Sequence, residues 1–263
     1  MEYRRLGASG LEVSALCLGT MMFGDRTDRA DAEAIVAAAH EAGVNFIDTA
    51  DVYAKGESER ITGAASAATR DRWILATKAG NAMRANERNN GGLSRRWLMQ
   101  ACDESLARLA TDWIDIYYLH YDDAVTPVEE FVGAVGDLIR AGKIRYFGVS
   151  NFRGWRIAEV VRVCDLLGVP RPVVCQPYYN LLNRGPEVEI LPACDYHGIG
   201  VATYSPIARG VLTGKYAKYS IPADSRAAQK DRRMLETEFR DESFEVAAAL
   251  KSHAGRTRRT PTA

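Results

Sequence analysis

The sequence predicts an α/β fold, a (β/α)8 barrel of the TIM type preceded by an N-terminal β-hairpin. Three observations predict this fold class. Short apolar runs recur at nearly constant spacing, helix signals fill the segments between them, and a glycine-containing turn lies near the N-terminus. No low-complexity stretch or linker interrupts the chain, so we expect one domain over residues 1–263.

The first element in the chain is the hairpin. Residues 3–6 and 11–14 flank a four-residue segment, Gly7-Ala8-Ser9-Gly10. Its glycines and serine suit a tight turn, because glycine adopts left-handed backbone angles without steric cost.

Seven apolar, β-branched-rich runs follow and predict parallel strands. They begin 27 to 40 residues apart, which is the length of one strand, one crossover helix and two loops. The runs are continuously apolar, as expected for parallel strands that are covered on both faces. The predicted strands are residues 15–19, 44–48, 73–77, 113–119, 144–149, 173–176 and 200–204.

Helix signals fill the segments between these strands. Ser94 is a candidate N-cap, and Thr126-Pro127-Val128-Glu129 is the pattern of a capping box with proline at the first helical position. Apolar residues recur at helical spacing in four segments, three of which end at a glycine. These residues are Ile35, Ala39 and Ala42 before Gly43; Leu98, Cys102, Leu106 and Leu109; Val128, Phe131, Val135 and Leu138 before Gly142; and Ile157, Val161 and Cys164 before Gly168.

An open doubly wound sheet is the alternative architecture. Nucleotide-binding members of that class carry a GxGxxG turn between a strand and a helix, and no predicted strand here is followed by one. The segment GVLTGKY at 210–216 has the wrong spacing for a P-loop and ends in tyrosine instead of serine or threonine. The barrel is therefore the preferred prediction.

Charge and composition exclude several classes of protein. The chain has 34 basic and 34 acidic side chains with no basic block, so we expect no nucleic-acid partner. No window approaches about 18 consecutive apolar residues, and the N-terminus lacks the apolar core of a secretory signal. The five scattered cysteines predict buried free thiols in a cytoplasmic protein, and neither cysteines nor histidines have metal-site spacing.

Polar side chains follow each predicted strand from the second onward, where the strand ends of a barrel converge. Each of these side chains alone has an ordinary structural explanation. An aspartate, a tyrosine, a lysine and a histidine at one barrel mouth, however, can act together in acid catalysis. A lysine beside a tyrosine favours the phenolate and lowers the tyrosine pKa from about 10, while the aspartate orients the lysine. The histidine can hydrogen-bond a substrate oxygen, and the tyrosine can then act as its general acid. These four residues are Asp48, Tyr53, Lys78 and His120.

Several ordered motifs of this chain resemble those of the aldo-keto reductase superfamily. They are GVNFIDTADVY at 43–53 followed by Glu57, Glu59 and Gly63, TK at 77–78, DIYYLH at 115–120, TP at 126–127, GVSNF at 148–152, QPYYN at 176–180 and YSP at 204–206. The opening RLGASGLEVS at 5–14 resembles the bacterial and potassium-channel β-subunit-like branch. The resemblance extends from residue 1 to about residue 254.

This resemblance implies reduction of aldehydes or ketones by NADPH, or alternatively NADH, without a metal. It assigns proton donation to Tyr53, tuning of that tyrosine to Lys78 and Asp48, and orientation of the carbonyl to His120. The cofactor would be held by Thr20, by Ser150, Asn151 and Gln176 at its carboxamide, by Tyr204 at its ring, and by Ser205, Ile207, Gly210 and Leu212 at its pyrophosphate. The stretch 209–242 resembles a lid over the cofactor.

The substrate would be a small carbonyl compound. We expect Met21, Met22, Tyr121 and the loop 81–92 to line or border its pocket. Apolar, adaptable side chains there favour a broad range of aldehydes or ketones.

The C-terminal part departs from the family pattern. After a helix-like run at 244–250, residues 251–263 contain no strand candidate, so the eighth strand and helix of the family are not found. We expect a solvated tail there. The missing segments would weaken cofactor affinity. They would also leave a seam with unpaired backbone groups between the first and seventh strands, which favours instability or association.

Three other functions remain open at this stage. The branch resemblance also allows a cofactor-binding regulatory subunit, and the same fold could carry a Schiff-base aldolase using Lys78. A truncated, inactive reductase is the third. Retention of all four catalytic residues favours the reductase.

Overall fold

The N-terminal hairpin forms as predicted. In the computed structural model, which describes residues 1–84, 87–216, 221–223 and 225–262, β1 (Tyr3–Arg5) pairs antiparallel with β2 (Glu12–Ser14). Gly7 in the turn has a φ of 58°, and an added Cβ would lie 2.5 Å from the carbonyl oxygen of Gly198. The turn therefore needs glycine both for its backbone angle and for its close approach to another segment.

All seven predicted parallel strands are present among the described residues. Each pairs in parallel with the next in the chain, so the sheet order is strictly sequential. A doubly wound sheet would reverse its order at a switch point, so the sequential order supports a curled (β/α)8-type sheet instead. The strands are β3 (Cys17–Gly19), β4 (Phe46–Asp48), β5 (Ile74–Ala79), β6 (Ile114–Leu119), β7 (Ile144–Ser150), β8 (Val174–Gln176) and β9 (Gly200–Val201).

Helices alternate with these strands and then follow them. The helices of the described residues are α1 (Arg29–Glu41), α2 (Glu57–Ser66), α3 (Arg95–Leu109), α4 (Val128–Arg140), α5 (Gly154–Leu167), α6 (Ile190–His197), α7 (Arg232–Thr237) and α8 (Asp241–Arg256). Short 3-10 segments lie at Tyr53–Gly56, Ala67–Arg72, Gly185–Glu187 and Ala208–Thr213. No helix in the described ranges combines the length and the apolar character that crossing a bilayer requires.

The Ser94 cap and the three predicted glycine helix ends, at Gly43, Gly142 and Gly168, are confirmed, and the capping box is wrong. The Ser94 hydroxyl accepts a hydrogen bond from the Trp97 amide at 3.3 Å, and Gly168 ends α5 with a φ of 63°. The capping box at Thr126 does not form, because this hydroxyl instead donates to the Asp123 carboxylate at 2.6 Å. Helix α4 begins without a side-chain cap.

The chain divides into two compact units. The first comprises Met1–Gln176 and Glu189–Ala202, and the second comprises Pro177–Val188 and Thr203–Ala263. The first contains the sheet and the main apolar core around it. The second has its own buried cluster, formed by Ala208, Val211, Leu212, Tyr216, Ala227 and Met234.

The C-terminal helix is longer than the sequence pattern predicts. Helix α8 continues to Arg256, and Ala254 within the expected tail is buried. Acidic residues in its first turn and basic residues in its last turn complement the helix dipole, which supports the extra turns. In the stretch 209–242, residues 217–220 and 224 lie outside the described residues, and its role as a lid stays a prediction.

The cysteine prediction holds for four of the five residues. Cys102, Cys164, Cys175 and Cys194 are free and buried. Cys17 is free but exposed on β3, which overturns its predicted burial.

Candidate active site

The four predicted catalytic residues lie at or just beyond the carboxyl ends of three neighbouring strands. Asp48 ends β4, Lys78 lies one residue before the end of β5, and His120 directly follows β6. Tyr53 begins the 3-10 segment that follows β4. Parallel pairing of β4, β5 and β6 brings these ends to the same edge of the sheet.

Lys78 is the centre of this cluster. Its side chain is fully buried, and its Nζ donates to the Asp48 carboxylate, to the Thr49 carbonyl oxygen at 2.7 Å and to the Tyr53 hydroxyl at 3.4 Å. Burial alone lowers the pKa of Lys78, but Asp48 and Tyr53 more than offset it, so the pKa lies above its usual value. Lys78 is therefore an ammonium at physiological pH.

Asp48 is fixed from two sides. One carboxylate oxygen accepts from Lys78, and the other accepts from the Gln176 side-chain amide at 3.0 Å. The residue is only 7% exposed, so its charge is compensated within the fold instead of by water.

The Tyr53 ring lies against His120. The ring centroids are 6.0 Å apart and the planes meet at 83°, an edge-to-face arrangement. The Asn151 side-chain amide donates to the His120 carbonyl oxygen at 2.8 Å, which ties the end of β6 to the residue after β7.

The backbone after Tyr53 is strained. Ala54, Lys55 and Gly56 have φ values of 45°, 56° and 90°. A left-handed conformation costs a non-glycine residue roughly 1–2 kcal/mol, and such strain persists only where the surroundings hold it. This segment sets the position from which the Tyr53 side chain projects.

A cavity of about 380 Å³ adjoins Tyr53. It is lined by Met21, Met22, Gly24, Asp25, Val52, Tyr53, Ala54 and Lys55. Met21 and Met22, which the sequence predicts to border the substrate pocket, line this cavity together with Tyr53. Tyr121 and the described residues of the loop 81–92 do not line this cavity, and residues 85 and 86 of that loop lie outside the described residues.

The predicted cofactor residues of the first unit form hydrogen bonds beside the catalytic cluster. The Ser150 hydroxyl donates to the Gln176 carbonyl oxygen at 2.8 Å and accepts from the Asn151 amide at 3.0 Å. Thr20 is buried, and its hydroxyl contacts the Asp48 carbonyl oxygen at 3.1 Å and the Ser58 hydroxyl at 3.0 Å. Ser150, Asn151 and Gln176 therefore lie together at the ends of β7 and β8, whereas the Thr20 hydroxyl, just after β3, contacts Ser58 of α2 and the Asp48 backbone.

The other predicted cofactor residues lie in the second unit. Tyr204 stacks on Tyr178 with ring centroids 5.4 Å apart. Ser205 and Gly210 have positive φ values of 53° and 96°. Ile207 is 40% exposed, whereas Leu212 is 3% exposed and packs in the apolar cluster of this unit. The Leu212 backbone amide donates to the Ile207 carbonyl oxygen at 3.3 Å.

Sequence reasoning did not assign a role to three groups next to this site. Glu59 and Arg108 form a buried ion pair, and Asp51 is fully buried near them. Glu59 belongs to the motif that begins at residue 43, and its place in that motif is the sequence signal that could have identified it. Arg108 gave none, because a basic residue in the last turn of a helix is ordinary.

Comparison with known proteins agrees with this arrangement. A sequence model of the Aldo/keto reductase family matches residues 15–262. The probable voltage-gated potassium channel subunit beta of Oryza sativa subsp. japonica is 42% identical over 240 residues, which cover 89% of this chain and 73% of that protein. The uncharacterized oxidoreductase YrpG of Bacillus subtilis (strain 168) is 38% identical over 242 residues, covering 88% and 73%.

Protein tas of Escherichia coli (strain K12) is a further relative. It is 34% identical over 255 residues, which cover 86% of this chain and 74% of that protein. The family match spans most of the chain, and the sequential parallel sheet agrees with it. The chain therefore belongs to the aldo/keto reductase family, a family of oxidoreductases.

Proposed function

We propose that this protein reduces aldehydes or ketones to alcohols with NADPH, and that Tyr53 donates the proton. One observation carries the proposal. A fully buried ammonium, Lys78, contacts both the Asp48 carboxylate and the Tyr53 hydroxyl, and Tyr53 faces a cavity of about 380 Å³. This set of groups suits an oxygen atom that gains negative charge during a reaction.

The donor set beside the cluster fits a nicotinamide carboxamide. Ser150, Asn151 and Gln176 offer hydroxyl and amide groups, which supply both the donors and the acceptors that a carboxamide needs. Thr20 is assigned to the same site. The chemistry that a reduced nicotinamide supplies when bound is hydride donation to the carbonyl carbon.

The protein's own residues then handle the oxygen. The Tyr53 hydroxyl gives its proton to the carbonyl oxygen as that oxygen gains negative charge, which completes the alcohol. The Lys78 ammonium stabilises the tyrosinate that remains, and Asp48 holds Lys78 in place. His120, edge-on to Tyr53, hydrogen-bonds the same oxygen and orients the carbonyl.

In the second unit, we assign Tyr204 to the nicotinamide ring and Ser205, Ile207, Gly210 and Leu212 to the pyrophosphate. The support for this assignment is the positive φ of Ser205 and Gly210, which bends the loop tightly. The backbone amides of Gly210 and Leu212 donate within the loop to the Ile207 carbonyl oxygen, at 2.9 and 3.3 Å. We also propose that the protein prefers NADPH to NADH and that it is cytoplasmic. The stretch 209–242 is proposed as a lid over the cofactor.

A Schiff-base mechanism on Lys78 is disfavoured. Such chemistry needs a neutral amine as the nucleophile. The Lys78 nitrogen contacts three partners, and its pKa lies above the usual value because Asp48 and Tyr53 outweigh the effect of burial.

A cofactor-binding regulatory subunit is the second candidate. The observation in its favour is the 42% identity to a probable potassium channel subunit beta. Binding of NADPH without turnover of any carbonyl compound would support it, whereas the reductase proposal requires turnover.

The test of the proposed function is oxidation of NADPH in the presence of a panel of aldehydes and ketones. Thermal unfolding with and without NADPH accompanies it. We expect NADPH to raise the unfolding temperature and at least one carbonyl compound to be reduced. Reduction of no carbonyl compound would overturn the reductase proposal, and absence of the NADPH-induced shift as well would also exclude the cofactor-binding subunit.

A further inference from the structure

A second buried ionic cluster lies next to the catalytic residues. Glu59 of α2 is fully buried, and its Oε2 accepts from the Arg108 Nε of α3 at 2.5 Å. The Arg108 side chain is only 10% exposed, and its Nη2 also donates to the Ser105 hydroxyl at 3.2 Å. Removing either partner of such a pair leaves an uncompensated buried charge, so each charge depends on the other.

Glu59 reaches the strand that carries Lys78. Its second carboxylate oxygen, Oε1, accepts from the Thr77 hydroxyl at 2.6 Å. Thr77 directly precedes Lys78 in β5. Neighbouring strand residues point to opposite faces, so Glu59 holds the strand from the face opposite to Lys78.

Arg108 reaches the segment that carries Tyr53. Gly56, the last residue of the strained Tyr53–Gly56 segment, is buried against Arg108. A Cβ at Gly56 would lie 2.7 Å from the Arg108 Cδ. The guanidinium that pairs with Glu59 therefore also packs under the backbone that sets the direction of Tyr53.

Asp51 links the same two segments. Its backbone amide donates to the Lys78 carbonyl oxygen at 3.1 Å, two residues before Tyr53. Its buried carboxyl has a pKa well above the usual value, first because of burial and then because of the nearby Glu59. The Glu59–Arg108 pair thus lies behind both segments, while Asp48, Lys78 and His120 face Tyr53 on the reactive side.

From these contacts we propose that Glu59 and Arg108 are positioning residues, which hold Tyr53 and Lys78 at the separation needed for proton transfer. The ion pair fixes Thr77 on one side and Gly56 on the other, so it sets the 3.4 Å contact between the Lys78 Nζ and the Tyr53 hydroxyl. This inference rests on the proposed carbonyl reduction.

The test compares this pair, which joins two helices, with a second largely buried ion pair near the other end of the strands. Glu59→Gln removes the charge but keeps the shape. The control, Asp115→Asn, weakens the Arg70–Asp115 pair, whose side chains are 13% and 14% exposed and which lies near the amino end of β6. Both variants are measured for NADPH affinity, kcat and KM across pH, and thermal stability.

A second readout does not need activity. The ultraviolet difference titration of wild type against Tyr53→Phe isolates the ionisation of Tyr53, and the same subtraction is made in the Glu59→Gln and Asp115→Asn backgrounds. If Glu59→Gln fails to fold, the double variant Glu59→Gln/Arg108→Gln replaces it, because it leaves neither charge unpaired.

We expect Glu59→Gln to lower kcat by about tenfold or more with little change in NADPH affinity, because misplacement of reacting groups is costly. We also expect the Tyr53 titration to move to higher pH as the ammonium contact loosens, whereas Asp115→Asn lowers stability alone. Equal kcat and equal Tyr53 titrations in the two variants would overturn the positioning role. An inactive wild type with a shifted Tyr53 titration in Glu59→Gln would overturn the proposed reduction and leave the positioning of Tyr53 supported.

Discussion

Replacement of Gly63 by alanine is expected to destabilise the fold, because helices α2 and α3 approach too closely for a side chain. A Cβ at Gly63 would lie 2.6 Å from the carbonyl carbon of Leu109 and 2.8 Å from its Cα. The obstacle is backbone, so no side-chain rotation relieves it. Overpacking of this kind costs about 1–3 kcal/mol or more, and the better helix propensity of alanine returns only about 1 kcal/mol.

We therefore expect a net loss of about 2 kcal/mol in the free energy of unfolding. Urea titration followed by circular dichroism measures this loss. The free energy of unfolding falls by about 2–3 kcal/mol per M urea, so the loss lowers the midpoint by about 1 M. The control is Gly133→Ala in α4, where nothing lies within 4 Å of an added Cβ. That change should stabilise by about 0.5–1 kcal/mol. Equal effects of the two substitutions would refute the close approach of α2 to α3.

Two further predictions concern pH. Asp123 has a pKa below its usual range: burial raises it, but hydrogen bonds from Thr126 and Leu93 outweigh burial. Asp123→Asn should cost about 1–2 kcal/mol at pH 7, and urea titrations should show this difference disappearing as pH falls below about 4 through the lowered pKa. Asp51 has a raised pKa from burial and Glu59, so wild-type stability should fall as pH rises above about 4. Asp51→Asn should remove that fall; a stability difference independent of pH would contradict the assigned burial of a protonated acid.

The fold was predictable because its signals are local and repeated. Apolar runs such as residues 73–77 mark strands wherever both faces are covered, and their spacing leaves room for one helix. The Ser94 cap was predictable for the same reason, since the bond joins residues three apart. Thr126 was not, because the nearby Asp123 competes for its hydroxyl.

The reactive cluster was predictable only in part. Asp48, Lys78 and His120 follow strands whose ends must converge, so their proximity follows from topology. The Glu59–Arg108 pair joins residues 49 positions apart on two helices, and neither spacing nor composition indicates it. The exposure of Cys17 on β3 likewise depends on packing that the local sequence does not contain.

The most direct test of the central claim is Tyr53→Phe, with NADPH binding and carbonyl reduction measured side by side. The substitution removes one hydroxyl and keeps the ring, whose plane meets that of His120 at 83°. The proposed mechanism predicts unchanged NADPH affinity and a fall in kcat of about 10²–10⁴, the contribution of a general acid. Reduction at a near-normal rate by Tyr53→Phe would contradict the assignment of Tyr53 as the proton donor.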